Sequence, residues 1–190
     1  MKFCSRCGGP IAQRVPDGDN RQRAVCQQCD HIHYENPRVV VGCLVEHDGR
    51  VLMCKRAIEP RRGYWTLPAG FLELGESMAE GATRETHEEA GASVEIIAPY
   101  THLDIPSIGQ IYMFYRARMR TEAYAAGPES LEVEWMTPQQ LPWDDLAFSV
   151  VRETLRLWVD ELGNDRYAIH RGTVARDADG NYVLTEYRGH

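Results

Sequence analysis

The stretch Gly70–Ala92, GFLELGESMAEGATRETHEEAGA, decides how the rest of the chain is read. Ser77 followed three positions on by Glu80 is a capping-box pattern, so a helix is predicted to start near Ser77, and Gly91 is the residue type that stops one. The segment carries glutamates at 73, 76, 80, 85, 88 and 89 against the single basic Arg84, a net charge of 1 − 6 = −5. As a plain helix this is badly arranged. Glu85, Glu88 and Glu89 stand at i, i+3 and i+4 and share one face, where like charges repel. Glu88 and Glu89 also fall in the last turn, where the helix dipole disfavours negative charge. Arg84 can pair with Glu80 or Glu88, but one guanidinium cannot neutralise the whole set. A solvated acidic face is the ordinary alternative for a charge run. Two helix rules broken together point instead to a functional site. Clustered carboxylates resolve the conflict by binding a hard divalent cation, Mg²⁺ or Mn²⁺.

Outward from this segment the pattern is mixed. Arg38–Val45 and Arg50–Arg56 read as strands joined by a turn at Asp48-Gly49. Further strands are predicted at Trp65–Leu67, Val94–Tyr100, Gln110–Met119 and Leu131–Met136, and a helix at Phe148–Leu162 from the spacing of Val150, Val151, Leu155, Trp158 and Leu162. Strands and helices follow one another without regular βαβ alternation. The fold class is therefore α/β with a mixed sheet and helices on its faces, not a doubly wound parallel sheet. Cys43 and Cys54 fall inside strands and read as buried small hydrophobes. Tyr167–Ala175 and Tyr182–Tyr187, around an Asp177–Asn181 turn, form a hairpin that is marginal alone and is expected to dock on the domain or on a second subunit.

The N-terminus reads differently. Cys4-Ser-Arg-Cys7 and Cys26-Gln-Gln-Cys29 are two C-x-x-C pairs at zinc-ribbon separation. Two such turns can close a tetrahedral set of four thiolates around Zn²⁺, and a module this short needs the metal to fold. With every position filled by protein, that zinc is structural. Two disulfides are the alternative, disfavoured because no signal peptide is recognised. His31 and His33 then have no vacancy to fill and are expected at the surface or an interface.

The chain has 190 residues and a formal net charge of −7. Residues 1–34 carry +2 (5 − 3), residues 163–190 carry 0 (4 − 4), and residues 35–162 therefore carry −9. These breaks suggest a zinc ribbon at 1–34, a catalytic domain at 35–162 and a C-terminal hairpin extension at 163–190. An acidic surface argues against duplex DNA as a partner. No apolar run reaches the ~20 residues of a membrane span. A cytoplasmic protein without a membrane partner is the expectation.

The spacing of Gly70, Glu76, Arg84, Glu85, Glu88, Glu89 and Gly91 resembles the Nudix box, G-x5-E-x7-R-E-U-x-E-E-x-G-U with U a bulky aliphatic, at every fixed position. Thr86 and Ala92 depart from it at the U positions, which concern packing. The resemblance implies an α/β/α Nudix sandwich that hydrolyses a nucleoside diphosphate linked to another moiety. It implies Glu85, Glu88 and Glu89 as ligands of Mg²⁺ or Mn²⁺, with the Gly70 carbonyl added and Glu76 and Arg84 as a supporting pair. A glutamate from a loop before the last strand of the domain, Glu129 or Glu132, is a candidate for completing the site or acting as base. Arg56, Arg61 and Arg62 are candidate phosphate donors, and Tyr64, Trp65, Phe71 and Tyr112 candidate base-stacking residues.

The ribbon, with segments around Leu103–Pro106, Gly127–Glu132 and Leu146–Ser149, is similar to a ribbon-plus-Nudix group whose plant members hydrolyse FAD and ADP-ribose. The implied activity is release of AMP from ADP-ribose or FAD, and homodimers are common in the family. NADH pyrophosphatase activity is an alternative, although the Ser-Gln-Pro-Trp-Pro-Phe-Pro-type segment of that group is missing. RNA NAD-cap removal is another, weakened by a ribbon with few aromatic residues, Phe3 and Tyr34. A non-catalytic nucleotide-sensing domain is the third, opposed by the intact glutamate set.

Overall fold

The computed structural model describes residues 1–164 and 167–189. The chain divides into two compact units, Met1–Pro37 and Arg38–His190. The smaller of these units ends at Pro37. The C-terminal hairpin belongs to the larger unit; of the expected extension 163–190, residues 165, 166 and 190 lie outside the described residues.

The smaller unit is a three-stranded antiparallel sheet of β1 (Ile11–Arg14), β2 (Arg23–Cys26) and β3 (Ile32–His33). Its apolar interior is slight: Ala24, Val25, Cys4 and Cys26 are its buried hydrophobic residues. So little buried area leaves folding to be completed by another source of free energy.

The larger unit is built on one mixed sheet. Its strands are β4 (Arg38–His47), β5 (Arg50–Arg56), β6 (Trp65–Thr66), β7 (Ala69–Phe71), β8 (Val94–Ile105), β9 (Gln110–Met119), β10 (Ser130–Met136), β11 (His170–Arg176) and β12 (Tyr182–Gly189). The order is β10-β5-β4-β9-β8-β11-β12, with β6 on β5 and β7 on β4. The β4/β9 and β8/β11 pairs are parallel and the others antiparallel. Helices α1 (Met78–Ala90) and α2 (Ser149–Glu161) cover opposite faces. Strand alternation makes the two cores. On β4 and β5, Leu44, Val51 and Met53 point to the α2 side, where Val150, Val151, Leu155 and Trp158 pack. The intervening Val41, Cys43, Val45, Leu52 and Cys54 point to the α1 side, against Ala82 and Ala90. Each face is buried, so each strand reads as a nearly continuous apolar run.

Several elements differ from the sequence expectation: β4 runs on to His47, β11 starts at His170 rather than Tyr167, β12 runs on to Gly189, and β8 and β7 differ most. Strand β8 continues to Ile105 because Thr101, Leu103 and Ile105 are buried on alternate positions, while Pro99 is absorbed at a bulge between Pro99 and Thr101. Strand β7 has only three residues, too short for a local pattern, and exists through its pairing with β4. Among the described residues no helix is long and apolar enough to cross a membrane.

Candidate active site and four-cysteine cluster

Helix α1 starts as its sequence dictates. The Ser77 side chain accepts from Glu80 N, Glu80 Oε2 accepts from Ser77 N at 2.8 Å, and Gly91 closes the helix with its N–H on His87 O. The box departures are packing residues. Thr86 is fully buried and its hydroxyl donates to Ala82 O at 2.7 Å, while Ala92 lies in the α1-side core.

The acidic face is held by Arg84. Its Nε and Nη2 donate to Glu76 at 3.0 and 2.7 Å, and Nη1 donates to Glu85 at 2.7 Å and to Glu88 at 3.3 Å. Nη2 also donates to the Phe71 carbonyl at 3.1 Å, which ties β7 to the helix. Glu76 further accepts from Glu73 N, and these bonds, Arg84 first, draw its carboxyl down to about 2. The fork therefore fixes the start of the helix and the approach of β7 in one unit, a role that suits a planar guanidinium.

Glu89 faces inward. It is 6% exposed, and its Oε2 accepts from Ala69 N at 2.9 Å. Burial lifts its carboxyl to about 7 against the pull of that hydrogen bond. Burial likewise raises Glu85, with Arg84 opposing. Gly70 sits against Glu85 so closely that a Cβ there would overlap the carboxylate, which explains glycine at this box position. Glu88 is more open, with 56% of its side chain exposed.

These groups lie in one cleft of about 1020 Å³. Glu85, Glu88, Glu89, Arg84, Gly70 and Glu129 all line it; Glu76 stands behind Arg84 and does not. Arg56 reaches the cleft from the end of β5, anchored by Nε on Pro60 O at 2.9 Å and stacked over Phe148, and Arg61 lines it from the following loop. Phe71 and Tyr112 line it as well. Loop 120–129 delivers Glu129: Ala125 N and Gly127 N donate to Ala90 O and Glu89 O, and a Cβ on Gly127 would overlap Glu88 O. Thus the loop caps the carbonyls that α1 leaves free and holds Glu129 beside its acidic end.

Several expected residues stand elsewhere. Trp65 is buried in the α2-side core and is not part of the cleft wall. Tyr64 stacks under Arg61 outside the cleft. Arg62 does not line it either. Glu132 lies on β10 opposite Lys55 and pairs with it at 2.8 Å, away from the site. Residues the sequence did not single out are Arg38, Phe148 and Tyr182, all in the cleft wall. Arg38, Phe148 and Tyr182 each lie at the boundary of a recognisable strand or helix.

The carboxylates fit a divalent cation by chemistry. They are hard oxygen donors, and two of them carry an uncompensated burial cost that a cation would relieve. They are not gathered into a finished cage: among the described residues the only group of potential ligands with atoms all within 4.8 Å is Cys4, Cys7, Cys26 and Cys29. There the Cys7–Cys26 and Cys4–Cys29 sulfurs are 3.4 and 3.9 Å apart. A tetrahedral S4 zinc site with bonds of ~2.3 Å sets sulfurs about 3.8 Å apart, whereas a disulfide needs about 2.05 Å. Backbone N–H groups of Arg6, Gly9, Gln28 and Cys29 point at the sulfurs at 3.4 Å, as thiolates require. Desolvation opposes ionisation of Cys26, but the Cys29 and Gln28 amides outweigh it and bring the thiol down to about 6. His33 is not a surface residue: it is 9% exposed with Nε2 at 3.4 Å from Cys4 Sγ, so it covers the cluster. His31 stacks edge-on against it.

Comparison with known proteins finds matches over both units. A family model described as NUDIX domain matches residues 36–157, and one described as Nudix N-terminal matches residues 2–35. An ADP-ribose pyrophosphatase from Methanocaldococcus jannaschii is 41% identical over 130 residues, 65% of this chain and 76% of that protein. The NAD-capped RNA hydrolase NudC of Vibrio atlanticus is 26% identical over 170 residues, 85% of this chain and 59% of that protein. A crystal structure of a NUDIX hydrolase from Nitrosomonas europaea superposes with a TM-score of 0.88 and 47% identity, covering 92% of this chain and 99% of the other. The chain spans less than two thirds of several curated relatives, 64% of a MutT-like protein from Streptomyces ambofaciens and 59% of the Vibrio protein.

Proposed function

The chain belongs to the Nudix hydrolases, with a zinc-ribbon module before the catalytic domain, and on that premise we propose that it splits the pyrophosphate of a dinucleotide-type substrate, ADP-ribose first and FAD second, releasing AMP. The observation that carries the proposal is the single cleft holding Glu85, Glu88, Glu89 and Glu129 together with Arg56 and Arg61. The relative from Methanocaldococcus jannaschii supports the choice of ADP-ribose.

The residues divide the work by their environment. Glu85, Glu88 and Glu89, with the Gly70 carbonyl, would hold Mg²⁺ or Mn²⁺. When bound, such a cation supplies charge neutralisation for the pyrophosphate and activates water for attack on phosphorus. Arg56 and Arg61, which line the same cleft, would donate to phosphate oxygens. Arg56 is 8% exposed and braced on Pro60 and Phe148, so it meets the phosphate without first giving up side-chain freedom. Glu129 is exposed beside Glu85 and Glu89, placed to take a proton from the attacking water. Arg84 touches no substrate in this scheme; it orients Glu85 and Glu88.

The test is a panel of ADP-ribose, FAD, NADH and NAD-capped RNA with Mg²⁺ or Mn²⁺, products resolved by chromatography, repeated with Glu88→Gln. AMP from ADP-ribose or FAD, and a loss of at least about 100-fold in the variant, are expected. Turnover of capped RNA alone would favour the second reading, which the long match to NudC supports. No turnover at all, or full activity in the variant, would overturn the assignment.

A further inference from the structure

The C-terminal hairpin lies beyond the segment that the domain family matches, residues 36–157, yet it reaches the substrate cleft through Tyr182. The register shows where. At the mouth of the sheet, Arg38 on β4 pairs with Gln110 on β9, and Gln110 pairs with Ile105 on β8. Strand β11 continues the row, parallel to β8 from His170↔Thr101 to Thr173↔Asp104. Past that point Arg176 pairs with Tyr182 at the turn end of the hairpin, so both overhang the end of β8 and the turn Pro106–Ile108. Arg38, Gln110, Ile105, Ile108 and Tyr182 all line the cleft. Four inter-strand steps of about 4.8 Å set β12, which carries Tyr182, roughly 19 Å from β4. The acidic helix and β7 attach on the β4 side. The cleft therefore has a phosphate-handling end and, several strands away, an end walled by the hairpin.

That far end is built for a flat ring. The Tyr182 ring is backed by the Arg176 guanidinium, 4.9 Å from its centroid, with Nη2 donating to the Tyr182 hydroxyl at 3.3 Å. At the β4 side of the same cleft, the Arg38 guanidinium sits 5.0 Å from the Phe71 ring centroid. Apolar Ile105 and Ile108 line the floor between. Nor is the hairpin loose at its other end. His170, 2% exposed, hydrogen-bonds Glu161 of α2 at 3.0 Å and Tyr187 of β12 at 2.7 Å, and Val174 is fully buried. A wall held this way loses little entropy on binding.

We propose that Tyr182, braced by Arg176, is a specificity-determining residue that stacks on the nucleobase of the substrate, so that the C-terminal hairpin selects base-bearing diphosphates. The proposal rests on the pyrophosphatase reading for its substrate but names a residue that reading does not use. A purely structural role is the competing account, since Tyr182 also packs on the α2-side core.

The experiment measures KM and kcat for ADP-ribose and for an analogue with hydrogen in place of adenine, and measures AMP affinity by calorimetry with Mg²⁺, in wild type, Tyr182→Ala and Tyr182→Phe. Loss of base stacking is expected to raise the ADP-ribose KM and the AMP Kd about tenfold in Tyr182→Ala, with kcat little changed. The base-free analogue should keep its KM, and Tyr182→Phe, which retains the ring and the packing, should stay near wild type. Unchanged KM and Kd in Tyr182→Ala, an equal KM rise for the base-free analogue, or an equal loss in Tyr182→Phe would each overturn the inference while leaving the pyrophosphatase reading intact. Wild-type protein that binds AMP more tightly than Tyr182→Ala but hydrolyses no dinucleotide would overturn the activity and support the base wall. Wild-type protein that binds no AMP would overturn the base wall.

Discussion

The four-cysteine cluster and the acidic face of α1 are both arrangements of like-charged ligands, and they solve the same electrostatic problem in opposite ways. The cysteines are converged within 4.8 Å, braced by backbone N–H groups and roofed by His33. A zinc ion at their centre would have every position filled by the chain, so it would hold the module together and do no chemistry. The glutamates are not converged. Arg84 spaces Glu85 and Glu88 on the helix, Glu89 is buried separately against Ala69, and Glu129 arrives on another loop. In the proposed function such a set would take an exchangeable cation together with a phosphate. On that reading, converged ligands belong to the structural site and spread ones to the catalytic site.

The largest effect should come from breaking the finished site. Structural zinc contributes on the order of 10 kcal/mol to the folding of small S4 modules. Protein purified under reducing conditions should contain about one zinc per chain by elemental analysis. Chelation, or Cys26→Ser, should unfold residues 1–37 while the larger unit keeps its own melt, because its two cores do not include the ribbon. The readout is hydrogen exchange mapped by segment, with near-complete loss of protection in the ribbon alone. Metal-free reduced protein with an intact ribbon would show that the cysteines are not a zinc site.

How much of this contrast was legible in the sequence follows from the range of each signal. The C-x-x-C pairs and the box are local, and so were the capping box of α1 and the span of β5, β9 and α2. Signals that depend on partners across the fold were not readable. Trp65 and Tyr64 sit beside arginines in sequence, but pairing of β6 with β5 turns Trp65 into the core. Glu129 and Glu132 are equivalent on paper. The register of β10 on β5 puts Glu132 opposite Lys55, while the loop bonds of Ala125 and Gly127 to the end of α1 bring Glu129 to the cleft. Ligand count alone cannot show that His33 has a use as a roof over the thiolates. Tyr182 becomes part of the site only because β11 joins β8 in parallel, a pairing across some seventy residues (170 against 101).

A smaller effect is expected from loosening the unfinished site without removing a carboxylate. Arg84→Lys keeps the charge and loses the fork that binds Glu76 through two nitrogens and reaches Glu85, Glu88 and the Phe71 carbonyl. A lysine can serve one or two of these acceptors. Activity should fall about 10- to 100-fold, the range for groups that orient metal ligands, with a weaker apparent affinity for Mg²⁺ and unchanged zinc content. Equal activity in Arg84→Lys at all Mg²⁺ concentrations would mean that a point charge suffices and that the fork does not position the glutamates.

The smallest effect separates Glu76 from the glutamates it resembles. Its carboxyl is drawn down to about 2 by the Arg84 hydrogen bonds first and the Glu73 amide second, whereas burial raises Glu85 and Glu89. A carboxyl depressed on folding contributes stability that is fully present above its unfolded value, about 4.5, and is lost as pH falls through its folded value. Glu76→Gln cannot carry that contribution at any pH. Wild type should therefore melt above the variant at neutral pH, with the gap constant down to about pH 4.5 and closing between there and about pH 2. The same gap should be insensitive to Mg²⁺, because Glu76 lies behind Arg84 and outside the cleft. A gap that widens when Mg²⁺ is added would place Glu76 among the ligands, and the division between positioning and binding carboxylates on this helix would have to be redrawn.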